Sequence, residues 1–232
     1  SRCAGSALGS VMVGAGSRPR RRVNRLRRVL RRGAIAAAVL NVLLALTLAL
    51  FLLPPIVHLL IDASGAPQVL GVEGSVAHGL SDQLVRDLLT GGMFDARLDG
   101  DVFLRSSERS HLVDVSRLFR ALLACGVVAS ALLCWLGLRR QSWLFQGLRD
   151  GALLLGLGAA LVGAAFVMAF DATFTFAHQL LFPAGTWTFD PATDRLVQLY
   201  PERFWVAAAL GYCTVLIAIA AAGYRVARRR SS

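Results

Sequence analysis

Two segments of this 232-residue chain combine histidine with residues that could support its chemistry. In the first, Glu108, His111 and Asp114 are spaced three residues apart and therefore lie near one face of a helix. A carboxylate at Asp114 could hold the His111 imidazole in one tautomer, as a carboxylate does beside a general base. Local charge pairing at the start of a helix would give the same spacing, so the spacing alone leaves both interpretations open.

The second segment covers residues 170–205, where Asp171 and His178 are seven residues apart and so share a helix face. The segment is rich in aromatic residues, namely Phe174, Phe176, Phe182, Trp187, Phe189, Tyr200, Phe204 and Trp205. These rings could form an aromatic girdle at a membrane surface, or they could surround a histidine that transfers protons.

Other catalytic patterns are absent from the sequence. It contains no Gly-x-Ser-x-Gly elbow, no His-Glu-x-x-His pair, no phosphate-binding glycine loop and no Cys-x-x-Cys. His58 follows two prolines and His78 lies in a glycine-rich segment, so we expect both to be surface histidines. The scattered spacing of the four histidines has no recognised ligand pattern, and we expect neither a metal nor a cofactor.

Four uncharged stretches divide the chain, at residues 33–53, 121–138, 151–170 and 204–224. Each has about the 17–25 residues needed to cross a bilayer. The chain is 56% hydrophobic and only 17% charged, against roughly 25% charged residues in soluble proteins. We therefore predict an all-α membrane protein with four transmembrane helices and a small cap formed by the loops between helices one and two and between helices three and four.

The net charge of +11 is unevenly distributed. Arginines crowd residues 18–32 and recur at 139–149 and 225–230, which by the positive-inside rule places both termini in the cytoplasm. All four histidines then lie outside. Beside a hydrophobic helix, the basic stretch is better explained as a topology signal that contacts anionic lipid than as a nucleic-acid site. We expect cytoplasmic segments at 1–32 (flexible), 139–150 and 225–232, and extracytoplasmic segments at 54–120 and 171–203.

Local signals refine this outline. Ser81 as N-cap and Gly91 as stop predict a short amphipathic helix over residues 82–90. Helix two should begin at Ser106 or Ser107 and run straight into the bilayer. Helix three has no breaker before Pro183, so we expect that it can continue to residue 182. Its small residues should form close helix contacts: Gly156, Ala160 and Ala164 on one face, with Ala159 and Gly163.

The segments "ERSHLVDV" (108–115) and "FAHQLLFPAGTWTFDPATDRLVQLYPERFW" (176–205) resemble the signature of the lipoprotein intramolecular transacylase family of bacterial four-span membrane proteins. The similarity extends over residues 33–224 and is specific at these two motifs, whose order, spacing and position relative to the membrane agree with the family. The arginine-rich tail and the loop 91–100 lie outside the family pattern.

The resemblance implies acyl transfer within a bacterial lipoprotein whose N-terminal cysteine carries a diacylglyceryl group. The sn-2 acyl chain would move to the α-amino group of that cysteine, giving the N-acyl lyso form without a covalent enzyme intermediate. The family's two essential histidines would be His111 and His178. We favour His178 as base and His111 as oxyanion or leaving-group partner, although the reverse assignment is nearly as well supported. Asp114 and Asp171 would support them, and Trp187 and Arg203 would bind substrate.

The implied location is the bacterial plasma membrane, with the site on the extracytoplasmic side. The expected partners are diacylglyceryl-modified lipoproteins and membrane phospholipids, not nucleic acid. The alternative is a non-catalytic membrane protein that binds lipids or lipoproteins at the same face, in which His111 and His178 need not converge. A transporter is disfavoured because no predicted span has an ionisable residue at its centre.

Overall fold

The computed structural model describes residues 18–138 and 142–231. A small antiparallel hairpin, β1 (Arg97–Leu98) and β2 (Asp101–Val102), lies between the fourth and fifth of the helices in the described part of the chain. In chain order these helices are α1 (Arg18–Phe51), α2 (Pro54–Ser64), α3 (Ala66–Leu70), α4 (Gly74–Thr90), α5 (Ser106–Leu138), α6 (Ser142–Met168), α7 (Phe170–Leu181), α8 (Arg195–Leu199) and α9 (Glu202–Ser231).

Helices α1, α5, α6 and α9 are long and apolar enough to cross a membrane. Their candidate spans are Val29–Phe51, Ser106–Leu138, Leu144–Met168 and Glu202–Arg229. In a bilayer a helix satisfies all its backbone hydrogen bonds internally, which is why uncharged stretches of this length adopt it. The prediction of an all-α protein with four long apolar helices is confirmed.

Small residues allow α6 to pack closely against α1 and α9. Leu155 and Ala159 share a buried cluster with Cys213, Leu216 and Ala220 of α9. Gly156 and Gly163 also face α9, as small residues on a packing face should. The prediction was wrong for Ala160 and Ala164, which are exposed. The buried stripe instead includes Gly151, Ala152, Leu155 and Ala159.

A second hydrophobic core joins the segment between α1 and α5 to the segment before α9. Ile61 of α2, Phe94 after α4 and Leu199 of α8 are fully buried in it. Phe204 at the start of α9 is buried there too, and Phe119 of α5 packs against it. The segment between α1 and α5 and the segment before α9 therefore share one core at the end of the bundle where α5 and α9 begin.

Several predicted boundaries are wrong. Helix α4 begins at Gly74 rather than at residue 82, and Ser81 lies within it, where its hydroxyl hydrogen-bonds the Tyr200 hydroxyl at 2.8 Å. Gly91 does end α4, with a φ of +78° that favours glycine. Residues 18–32 are helical rather than a flexible tail, and residues 142–150 and 225–231 also belong to helices. The predictions of a flexible segment at residues 1–17 and of a cytoplasmic segment at residues 139–141 fall outside the residues that the structure describes.

The third long helix does not continue to residue 182. It is interrupted at Ala169 (φ −153°, ψ 66°), so that α7 is a separate helix. Thr173 stabilises the interruption, because its Oγ1 donates to the Ala165 carbonyl across the break at 3.1 Å. No proline or glycine marks this position, which is why the sequence predicted continuity. His178 therefore lies on a helix that is separate from α6.

Replacing Gly151 by leucine should destabilise the bundle. A Cβ at Gly151 would lie 3.0 Å from the Ala36 Cα and carbonyl oxygen, which are backbone atoms that cannot rotate away. Overpacking of this kind costs about 1–3 kcal/mol. Gly158→Leu on the same helix is the control, because nothing lies within 4 Å of a Cβ there. Thermal unfolding in detergent should show a lower midpoint for Gly151→Leu alone. Equal midpoints for the two variants would contradict this packing.

Candidate functional site

His111 and His178 lie side by side although they come from different helices. His111 is on α5, shortly after its start, and His178 is near the end of α7. Their ring centroids are 5.9 Å apart, with an angle of 31° between the ring planes. Imidazoles at this separation can act on neighbouring atoms of one bound molecule, which is the first requirement for shared acid–base chemistry.

Aromatic rings surround both histidines. The Phe182 ring packs edge-on against His111 at 4.9 Å, and the Phe189 ring lies 5.6 Å from it. Phe174 and Trp187 lie 3.9 Å and 5.2 Å from the His178 ring. The His111 side chain is buried, and His178 is half-buried. These apolar surroundings reduce hydration and strengthen the electrostatic interactions of any group held there.

The hydrogen bonding of His178 defines its tautomer. Its Nδ1 lies 2.8 Å from the Phe174 carbonyl oxygen. Because a carbonyl only accepts, Nδ1 carries the hydrogen, and the neutral ring has its lone pair on Nε2. Burial lowers the pKa of His178 below its ordinary 6.5, and the bond to Phe174 opposes this shift. His178 is therefore neutral at neutral pH and can accept a proton at Nε2.

His111 is held differently. Its Nδ1 is buried and has no hydrogen-bond partner among residues 18–138 and 142–231. The Asp114 carboxylate, our candidate for orienting this ring, instead accepts a hydrogen bond from Arg117 at 2.8 Å. The i,i+3 spacing on α5 brings Arg117 close enough to compete for Asp114. The structure thus gives His111 a packed environment but not the predicted hydrogen bond to Asp114.

The other candidates differ in their relation to the histidine pair. The Trp187 ring packs against His178, and its Nε1 is buried without a partner in the described part of the chain. Asp171 is exposed in the first turn of α7, where its carboxylate interacts favourably with the helix dipole. Arg203 is exposed in the first turn of α9. Of these three residues, the geometry brings only Trp187 into ring contact with a histidine.

The sequence placed Glu108 near the helix face of His111 but did not include it among the site residues, whereas the structure gives it defined partners. Its side chain is fully buried. One carboxylate oxygen accepts the Arg105 N–H at 2.7 Å and the other accepts the Leu196 N–H at 2.6 Å. A glutamate at position N3 of a helix commonly accepts a hydrogen bond from the N-cap N–H, so the bond to Arg105 could have been predicted from the sequence. The bond to Leu196 depends on tertiary structure.

His58 and His78 form a separate pair between α2 and α4. Their rings stack at 4.1 Å, with 6° between the planes. Each Nε2 lies 2.8 Å from a carboxylate of the opposite helix, His58 with Asp82 and His78 with Asp62. These contacts link two helices of the second core. Among residues 18–138 and 142–231, no group of three His, Cys, Asp or Glu side chains could hold a metal ion.

Structure comparison shows the same fold in known proteins. The structure is similar to that of the membrane-integral lipoprotein intramolecular transacylase Lit from Bacillus cereus, with 19% identity and a TM-score of 0.71 over 90% of this chain and 96% of that one. Variants of that protein with one histidine replaced by arginine or by alanine match at 18% identity, with TM-scores of 0.64 and 0.63. They cover 93% and 90% of this chain, respectively, and each match covers 96% of the variant's chain.

Comparison with sequences gives a complementary result. No curated protein matches the chain significantly. The model of the family "Lipoprotein intramolecular transacylase Lit" matches residues 32–205, which is most of the chain and includes both histidines of the site. The chain is a multi-pass membrane protein and belongs to the lipoprotein intramolecular transacylase family.

Proposed function

We propose that this protein moves the sn-2 acyl chain of a diacylglyceryl-cysteine lipoprotein to the α-amino group of the same cysteine. The observation that carries the proposal is the 5.9 Å approach of His111 and His178 in a chain of the transacylase family. In the reaction the amine nitrogen bonds to the ester carbonyl carbon and the bond from that carbon to the glycerol oxygen breaks. The proton lost by nitrogen ends on the glycerol oxygen, so a group that carries protons is required.

We assign the proton transfer to His178. An α-amino group has a pKa of about 7.7–8.0, so part of it is already neutral near neutral pH. When this neutral amine attacks, its nitrogen becomes positively charged and must lose one proton. The Nε2 lone pair of His178 can take this proton, because Nδ1–H is fixed on the Phe174 carbonyl. The imidazolium then returns the proton to the departing glycerol oxygen. Nucleophile and ester belong to one molecule, so orientation within the site supplies much of the rate, and no covalent enzyme intermediate is needed.

His111 and Trp187 are our candidates for stabilising the tetrahedral intermediate. The negative charge on its oxygen requires fixed donors in a site with little water. The His111 ring lies against His178, and the Trp187 Nε1–H has no acceptor among the described residues. The phenylalanine rings around them limit hydration of the reacting atoms. We therefore assign donor roles to the Nε2–H tautomer of His111 and to the Trp187 indole.

The remaining candidates act at the edges of the site in this proposal. Arg203 is exposed at the start of α9 and is available to the polar backbone of the lipoprotein. Asp171 stabilises α7, and Asp114 contributes negative potential near His111. With both termini in the cytoplasm, the site faces the extracytoplasmic side of the bacterial plasma membrane, where phospholipids surround it. The contact between His111 and His178 favours catalysis over the alternative of a binding protein, which has no need to bring them together.

Alanine replacement of either site histidine should abolish product. His111→Ala removes a donor, and His178→Ala removes the base. We expect the N-acyl lyso product of a synthetic diacylglyceryl lipopeptide to fall at least about 10²-fold by mass spectrometry. His58→Ala and His78→Ala are matched controls from the other histidine pair and should retain activity. Product formation by both His111→Ala and His178→Ala at the wild-type rate would reject the assignment.

The pH dependence should report the lowered pKa of His178. Activity requires the neutral base and the neutral amine, so it declines with one proton as pH falls below about 7.7. The pKa of His178 lies below 6.5. The pH dependence of the rate should therefore steepen from one proton to two only below pH 6.5. Initial rates measured from pH 5 to pH 9 test this expectation. Steepening that begins at or above pH 6.5 would contradict it.

The substitution Trp187→Phe should slow the chemical step. Trp187→Phe keeps an aromatic ring beside His178 but removes the unpaired indole donor. Loss of one oxyanion donor lowers kcat by about 10²–10³-fold, and KM should change little. Trp205→Phe is the control, since it removes an indole N–H from a partly exposed residue of α9 and keeps a ring against Phe174. An unchanged kcat for Trp187→Phe would exclude the indole from the reaction.

A further inference from the structure

Glu108 is a buried carboxylate whose two oxygens are both used by backbone N–H groups. An ionised carboxylate is kept inside a protein only when hydrogen bonds replace its hydration. Here one bond goes to its own helix start at Arg105 and the other to Leu196, in the first turn of α8. Glu108 therefore connects the helix that carries His111 directly to the segment that precedes α9.

A short path leads from α8 back to His111. The Asp194 side chain, at the N-cap of α8, accepts the Asp190 N–H at 2.7 Å. The neighbouring residue, Phe189, packs its ring 5.6 Å from His111. Glu108 itself lies three residues before His111 on α5. One end of this path, Glu108, is thus on the same helix as His111, and the other end, Phe189, packs against the His111 ring.

The position of the His111 ring depends on this connection, because the other polar contacts among the described residues are absent or weaker. Its Nδ1 has no hydrogen-bond partner in the described part of the chain, so the ring orientation rests on packing and on the position of α5. The ion pair between Arg105 and Asp194 also joins the two segments, at 2.8 Å. The Asp194 side chain is only 12% exposed, but the Arg105 side chain is 58% exposed, so water at Arg105 screens the pair and lowers its contribution. Glu108 is the buried, doubly bonded connection.

We propose that Glu108 is a positioning residue for acyl transfer, which fixes the His111 ring against Phe189 and His178. This inference rests on the proposed function for its kinetic consequence. Displacement of a catalytic group by about 1 Å can lower the rate by about 10²-fold. The geometric consequence, a change in the surroundings of His111, is independent of any activity.

Glu108→Gln tests the proposal with little change in volume. It replaces one oxygen by an NH₂ group, which donates and therefore faces an N–H donor at either Arg105 or Leu196. Glu73→Gln is the control, since it removes the same charge from an exposed residue before α4. We expect kcat of Glu108→Gln to fall by roughly 10²-fold with KM within about twofold, and the control to match wild type.

Histidine-selective ¹⁵N labelling gives the readout that does not depend on turnover. The chain has four histidines, and single His variants assign their resonances in micelles. Glu108→Gln should shift the signals of His111 and His178 and leave those of His58 and His78 in place. The stacked pair thus serves as an internal control for folding. Glu108→Asp, which keeps the charge but shortens the side chain, supplies the same comparison if the glutamine variant does not fold.

Two results would overturn the proposal. One is a Glu108→Gln protein with wild-type His111 signals and kcat. The other is an equal shift of all four histidines, which would assign Glu108 to general folding. If wild-type protein does not produce the N-acyl lyso lipopeptide, the proposed function fails instead, and the labelled spectra still decide whether Glu108 positions His111.

Discussion

The burial of apolar side chains from two distant segments in one core determines the rest of the structure around the histidine pair. Residues after α1 and residues before α9 contribute to this core. Shared burial is the dominant favourable term for such an association. It brings α8 against the start of α5, where Glu108 adds two directional hydrogen bonds to a contact that would otherwise be non-directional.

Burial among aromatic rings also determines the electrostatics of the site. Surrounded by phenylalanine and tryptophan rings, an imidazole loses hydration, and its charged form becomes less favourable. His178 remains neutral for this reason, and its bond to the Phe174 carbonyl directs the lone pair of Nε2 away from its own helix backbone. Tyr200, in the same core, responds in the opposite sense, because burial raises its pKa to about 12 and keeps its hydroxyl protonated toward Ser81.

Much of the fold could be predicted from hydropathy and charge, because membrane-spanning helices are long and their composition differs sharply from that of loops. The family and the histidine pair could be predicted from two motifs. The details that depend on tertiary contacts could not. The break at Ala169 depends on a side-chain bond from Thr173 and not on proline or glycine. His111 and Arg117 both lie within one helical turn of Asp114. Spacing alone could not show that the Asp114 carboxylate pairs with Arg117 and not with His111.

Separation of α7 from α6 also affects how a lipid-anchored molecule can approach. Phe176, Leu180 and Leu181 of α7 are largely exposed, while His178 on the same helix packs against aromatic rings. In a bilayer, exposed side chains of this kind reside among acyl chains. The lipid-anchored substrate proposed above could then diffuse sideways to the imidazole along α7. Its chains would stay in hydrocarbon throughout, and the large free energy of extracting them into water would not enter the reaction barrier.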